Sequence, residues 1–475
     1  MTTYKTFILV LVAVALTSAI AAPRPKVGGS TAQVKELAPA HRSKQRQEGI
    51  DPGRQLMITD LRVVEDPVRT NPDSGRQATW TFKYLVENMA GAHDPAEFVL
   101  RWLELWEQDQ TVNGHVAEAR PSIRELVIDP WMAASGGHRL DLTKAPFKLL
   151  AIVNRMDLRV HVEEEVFTAG EGRFVFGLLT PDGLPLPPSA GTVPGGFTVI
   201  FEYELIAQSM RELGEWTMLW RDLKQFHLGS RDYNSALERV TRRFTDHGRA
   251  GGKPNGSALN QIRSNEIALA IPWELREFVI DGQVGWLRPE TVALTPDTIE
   301  LNGTPAFTEF INTYGAEIMQ GTAQLDPEAF GASSLSGPFQ PSDFPDFESR
   351  TFTTNPLIGP FSDIPWSAAG IVDNDARHAF ALNTCNGCHR DETGTAFLQV
   401  GFPPDHDLPR TLASPAALAA FLTGTEVPDP VDADTIRSFN DLDRRKQDLE
   451  ALIATFGAAS DGPGPRGRHV PLFVH

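Results

Sequence analysis

Asp373-Asn374-Asp375-Ala376-Arg377-His378-Ala379-Phe380-Ala381-Leu382-Asn383-Thr384-Cys385-Asn386-Gly387-Cys388-His389 contains both cysteines of a 475-residue chain. Ala376, Phe380 and Leu382 or Asn383 recur along one side at helical spacing, so the stretch predicts a helix that runs into the cysteines. Asp373-Asn374-Asp375 has the look of a calcium triplet, but its place ahead of a helix makes capping the reading. Two thiols separated by two residues, with an imidazole next in line, then end the stretch.

Downstream the pattern stays helical. Ser414 to Leu422 predicts a short helix with Pro415 at its first position, and Asp434 to Phe456 a long one. In the latter, Phe439, Leu442, Leu449, Ile453 and Phe456 fall on one stripe, and Gly457 stands where a C-terminal cap belongs. Residues 458–475 form a Gly/Pro-rich tail. Upstream, residues 326–367 hold seven prolines between Pro327 and Pro365, which can neither propagate helix nor supply many ladder donors. Interleaved Phe330, Phe339, Phe344, Phe347, Phe352 and Phe361 suit a strap packed on a neighbour better than a free linker.

Residues 56–325 mix strand-length apolar runs with helical patterns, which predicts one α+β domain. Strands are expected at Phe147 to Val153, Arg173 to Leu178, Phe197 to Tyr203 and Val284 to Leu287. Asp94-Pro95-Ala96-Glu97 is a helix start, with a capping Asp, a first-position Pro and a capping-box Glu. Further helices are expected through Leu205 to Phe226 and through Ala236, Val240 and Phe244. Trp102, Trp106, Trp216 and Trp220, spaced by four, read as core. Asn154-Arg155-Met156-Asp157-Leu158-Arg159 gathers polar groups at a strand end, where an Asp/Arg ion pair fixing a loop is the reading preferred over an active site. Glu163-Glu164-Glu165 reads as a solvated acidic turn.

Residues 22–55 are polar and charged and read as a flexible lead-in. Before them, Lys5, an apolar run from Phe7 to Leu16 and the small residues Ser18, Ala19 and Ala21 have the pattern of a secretory signal peptide, residues 1–21. The run is about ten residues, short of the roughly 20 that span a bilayer, so no stable membrane span is expected after cleavage. The net charge of −18, from 43 Lys and Arg against 61 Asp and Glu, excludes nucleic acid as the natural partner. No Walker A loop, H-E-x-x-H helix or G-x-S-x-G elbow is present.

Cys385-Asn386-Gly387-Cys388-His389 is C-x-x-C-H, the attachment sequence for c-type haem. Two thiols one short turn apart can add to the vinyl groups on one porphyrin edge, and the adjacent imidazole is the natural proximal ligand. A redox C-x-x-C would start a helix after a strand, whereas a helix precedes this one. A zinc site needs two further ligands, and no other cysteine exists.

On those five residues the chain resembles the c-type cytochromes over about residues 371–457. The resemblance implies a small, mainly-α domain at 368–457 with one covalent haem c, held by Cys385 and Cys388 and ligated by His389. It implies electron transfer with a redox partner protein and an exported, periplasmic or extracellular setting. The family's usual sixth ligand is a methionine ahead of the last helix, but no methionine follows Met319 here. His406, in Phe402-Pro403-Pro404-Asp405-His406, is the preferred sixth ligand; His469, His475 and Met319 are the others, and an open distal site is the alternative. A second C-x-x-C-H is absent, which disfavours exported di-haem peroxidases. Two rivals remain: a haem-dependent oxidoreductase with an open distal site or a pocket in the large domain, and a binding module with only a Cys385–Cys388 disulfide.

Overall fold

Seven strands pair in chain order into one antiparallel sheet: β1 (Met57–Ile58), β2 (Phe147–Arg155), β3 (Glu171–Leu178), β4 (Thr198–Glu204), β5 (Leu259–Asn265), β6 (Leu275–Ile280) and β7 (Leu287–Glu290). This is a computed structural model, and it describes residues 49–112, 115–162, 164–186, 196–266, 268–270, 275–290, 302–320, 323, 365–384, 387–395, 398–403, 414–457 and 468–469. Directly paired residues share a face. Phe174, Phe201 and Ile262 therefore line one side, while Arg173, Glu202 and Gln261 line the other. The expected strands at 147, 173 and 197 are present. The last falls later than expected, because Asp281 turns the chain by accepting from Gln283 N and Val284 N. β7 then forms the far edge and carries Pro289.

Helices cover the aromatic face. They are α1 (Phe82–Met89), α2 (Pro95–Glu104), α3 (Met210–Asp222) and α4 (Arg231–Thr245). Asp94 caps α2 by accepting from Ala96 N and Glu97 N, both at 3.0 Å, which satisfies amides that have no intrahelical partner. Helix α3 starts at Met210 and not Leu205, because Ser209 accepts from Glu212 N while the Glu212 carboxylate accepts from Gln208 N. Phe82 lies against Phe176 and Phe201, Trp102 against Phe278, and Phe244 against Phe174 and Tyr203. Gly172 lets Phe244 approach: a Cβ there falls 2.4 Å from the ring. All four tryptophans expected in the core are buried.

Helix α5 (Pro305–Met319) packs on α6 (Asn374–Leu382), and their shared cluster of Phe307, Phe310, Ile311, Phe380 and Trp366 is buried. Two short antiparallel pairs follow, Val400–Gly401 with Ala417–Leu418 and Thr425–Pro428 with Ile436–Phe439. The long helix α7 spans Asp441–Gly457 and not Asp434 onward. Residues 436–439 are strand because Asp429 and Thr435 close a hairpin, and Asn440 then starts the helix by accepting from Asp443 N. The expected helix at 414–422 does not form: Ala417–Leu418 is strand, paired with Val400–Gly401, and one helical turn follows at Ala420–Thr423.

The C-terminal residues share the sheet's core. Cys388, Val400, Phe421, Leu422, Leu442, Leu449 and Leu452 belong to the same apolar cluster as Phe174 and Trp220, and the described residues from Gly49 onward form one compact unit. The Phe456 ring packs on Gly214 of α3, and the Phe402 ring on Gly177 of β3. Residues 50–55, within the expected lead-in, are also docked: Ile50 N donates to the Glu450 carboxylate, and the Gln55 amide to the Trp220 and Arg221 carbonyls. The signal segment 1–21 and the six strap phenylalanines lie outside the described residues.

Candidate functional site

Helix α6 delivers the motif. Asp373 caps it by accepting from Asp375 N and Ala376 N, as the capping reading expects. Beyond its last turn the buried Thr384 hydroxyl donates to the Ala381 carbonyl at 2.7 Å and accepts from Trp366 Nε1 and Gly387 N. The chain folds back so closely that a Cβ on Gly387 falls 2.1 Å from the Ala381 carbonyl oxygen. Only glycine fits there. Residues Gly387–Asp391 form one π-helical turn, with Glu392 N donating to the Gly387 carbonyl at 3.0 Å, a wide turn of the kind that recurs at functional sites.

That turn carries Cys388 and His389, both buried. Cys388 Sγ accepts from Gln399 Nε2 at 3.4 Å, and the Cys388 carbonyl accepts from the Thr393 hydroxyl at 2.6 Å. Cys385 and His406 lie outside the described residues, as does His475. The backbone of His469 pairs with His161 in a small three-stranded sheet. Met319 ends α5 about half exposed.

An ion network that sequence reasoning missed locks the motif's helix to the turn after it. The Arg377 guanidinium, 1 % exposed, pairs with Glu392 and with Asp429, which it reaches at 3.0 and 3.1 Å. His378 Nδ1 lies 2.5 Å from Glu392 Oε2, Asn374 bridges Arg377 to Asp429, and Arg437 pairs with Asp429 and Asp375. Burial opposes the charge on Asp429, but the Val431 amide, Arg377 and Arg437 hold its carboxyl below the usual range. His378, Glu392 and Asp429 lie close enough to one another to suggest a cation site. Arg377 already supplies the positive charge there, so the group is an ion network. Its sequence trace was faint: an Arg on a predicted helix, with partners 15 and 52 residues away.

A second buried polar set crosses the other face of the sheet. Arg173 pairs with Glu171 and Glu202, and Arg263 with Glu202 and Glu277. Three carboxylates thus face two guanidiniums. Burial raises Glu277 to about 7 against the pull of Arg263, and neighbouring Glu202 and Glu290 push the same way. The Arg155-to-Arg159 stretch does what an ion-paired loop does: Arg155 Nε meets Asp157 at 3.0 Å, Asp157 meets Arg444 of α7 at 2.8 Å, and Arg159 meets Asp448. Burial works against ionisation of Asp157, yet Arg155, Arg444 and Arg445 hold it well below the usual range.

No helix among the described residues is long and apolar enough to cross a membrane. Compared with family models, curated proteins and solved structures, the chain gives no match.

Proposed function

We propose that this chain is an exported c-type haem protein that carries one covalent haem c and transfers electrons. The observation that carries the reading is the C-x-x-C-H pentapeptide at the end of a helix, with Cys388 and His389 buried on a single turn. The donor set suits the group: two thiols with two residues between them, an imidazole next in sequence, and a glycine between the thiols where a side chain has no room. Haem, when bound, supplies one-electron chemistry between Fe(II) and Fe(III).

The residues divide the work. Cys385 and Cys388 would hold the group through thioether bonds, which form with no net redox change. His389 would ligate the iron, and His406 is the preferred sixth ligand. Thr384 fixes the turn, and the Arg377–Glu392–Asp429 network holds helix and turn together so that the His389 backbone cannot drift. Such outer partners orient ligands and tune the group they hold. The acidic surface suits docking to a basic redox partner.

The test is an absorption spectrum with a pyridine haemochrome assay on protein made in a host with its cytochrome c maturation machinery. A c-type signal that survives acid–acetone extraction is the expected result. A colourless product, with Cys385 and Cys388 recovered as a disulfide, overturns it in favour of a non-haem binding module.

A further inference from the structure

In the ion network around the motif, His378 combines an imidazole with a path to water. The side chains of Glu392 and Asp429 are 0 % exposed and that of Arg377 1 %, whereas His378 keeps 12 % and Arg437 14 %. A guanidinium holds its proton at any ordinary pH, and imidazole is the side chain that changes charge in the physiological range. Proton exchange with solvent therefore falls to His378.

Arg377 donates to both oxygens of Glu392, the pattern of a guanidinium on an ionised carboxylate. His378 Nδ1, 2.5 Å from Glu392 Oε2, is then the donor, and Nε2 is left to take a second proton. Around the ring, α6 contributes Arg377 and Asp375, the turn contributes Glu392, and the hairpin at 425–439 contributes Asp429, Arg437 and the Phe439 ring at 5.9 Å. Helix α5 packs apolar Phe307 and Phe310 on Phe380 of α6. Arg377 and Arg437 balance Glu392 and Asp429, while Asp375 is two-thirds exposed. With His378 neutral the buried set is neutral, and a proton on Nε2 adds one positive charge. That charge arises beside the turn that bears His389, which Glu392 closes by donating from its N–H to the Gly387 carbonyl.

We propose that His378 couples proton binding to electron transfer: it takes a proton from water at Nε2 as the haem is reduced and returns it as the haem is oxidised. The inference rests on the haem reading. The electron comes from the redox partner and the proton from solvent, so the charge around the motif is the same before and after. The oxidised group carries one more positive charge than the reduced one, and like charges disfavour each other. Two unit charges about 10 Å apart at an effective dielectric of about 20 change a proton affinity on the order of tenfold.

The test is a potentiometric titration of the haem-loaded full chain at a series of pH values across the histidine range. The midpoint potential should fall as pH rises, by about 59 mV in all, the one-electron equivalent of a tenfold difference in proton affinity between the two redox states. His378→Gln, which keeps an N–H for Glu392, should load haem with an unchanged spectrum and show a flat potential. Followed by NMR, the His378 ring should bind its proton about tenfold more tightly in the reduced protein than in the oxidised one. A flat potential in the unaltered chain, a fall that persists in His378→Gln, or a ring that titrates alike in both redox states overturns the proposal and leaves the haem reading standing. A product without haem overturns both.

Discussion

Gly387 is the residue on which the motif's geometry turns. A methyl group there meets backbone, which cannot swing aside as a flexible side chain can, so Gly387→Ala should cost more than about 2 kcal/mol and abolish haem incorporation. The control is Gly401→Ala, where a Cβ makes an ordinary 3.6 Å contact with Leu398 and the urea midpoint should barely move. Arg377 is a second such residue. Replacing it with Met removes the guanidinium shared by the buried Glu392 and Asp429 and leaves them only His378 and Arg437, at a cost of about 3 kcal/mol. Glu392→Gln in the same chain should recover part of that loss, and a double-mutant cycle by urea unfolding reads the coupling. If the two losses simply add, the network is not a unit.

At the level of elements, the joint between β2 and α7 should be as sensitive as either residue. Asp157 is shared by Arg155 on the sheet and Arg444 on the helix. Asp157→Asn should therefore destabilise by about 3 kcal/mol or more, because the guanidiniums of Arg155, Arg444 and Arg445 then lose the buried carboxylate they share. Equilibrium denaturation measures it, and a loss under about 1 kcal/mol would contradict the role. Elements carried by apolar runs, helical spacing or capping chemistry were legible in the sequence: β2, β3, β4, the Asp94 start and the tryptophan helices. β5 was not, since Leu259-Asn260-Gln261-Ile262-Arg263-Ser264-Asn265 looks like a loop. Arg263 is buried and Gln261 half-buried on the charged face of the sheet, where partners on neighbouring strands supply what hydrophobicity does elsewhere. Phe439 misled for a different reason: its spacing to Leu442 is helical, yet Asn440 separates strand from helix between them. The pentapeptide was legible because chemistry, and not packing, dictates its spacing, whereas the Arg377 network depends on contacts far apart in the chain.

Across the whole molecule, the two charged sets work against each other with pH. Glu277, whose ordinary value is 4.5, keeps its proton in the fold up to about 7. Between those values the folded state binds a proton that the unfolded chain has released, so stability is full below about pH 4.5 and falls as pH rises to 7, by up to about 3 kcal/mol. Asp157 acts in the opposite sense: its depressed value contributes stability above its ordinary 3.8 that is lost as pH falls further. The fold should thus be most resistant to urea near pH 4 to 5, and Glu277→Gln should flatten the decline toward neutrality. An unaltered pH profile in that variant would refute the assignment. The outer strand β7 has a consequence of another kind. Pro289 has no N–H to offer a neighbour, and Arg288 and Glu290 flank it with charge. That rim of the long sheet therefore offers a second chain a poor template for extending the ladder, the device by which exposed sheet edges resist growing into fibrils.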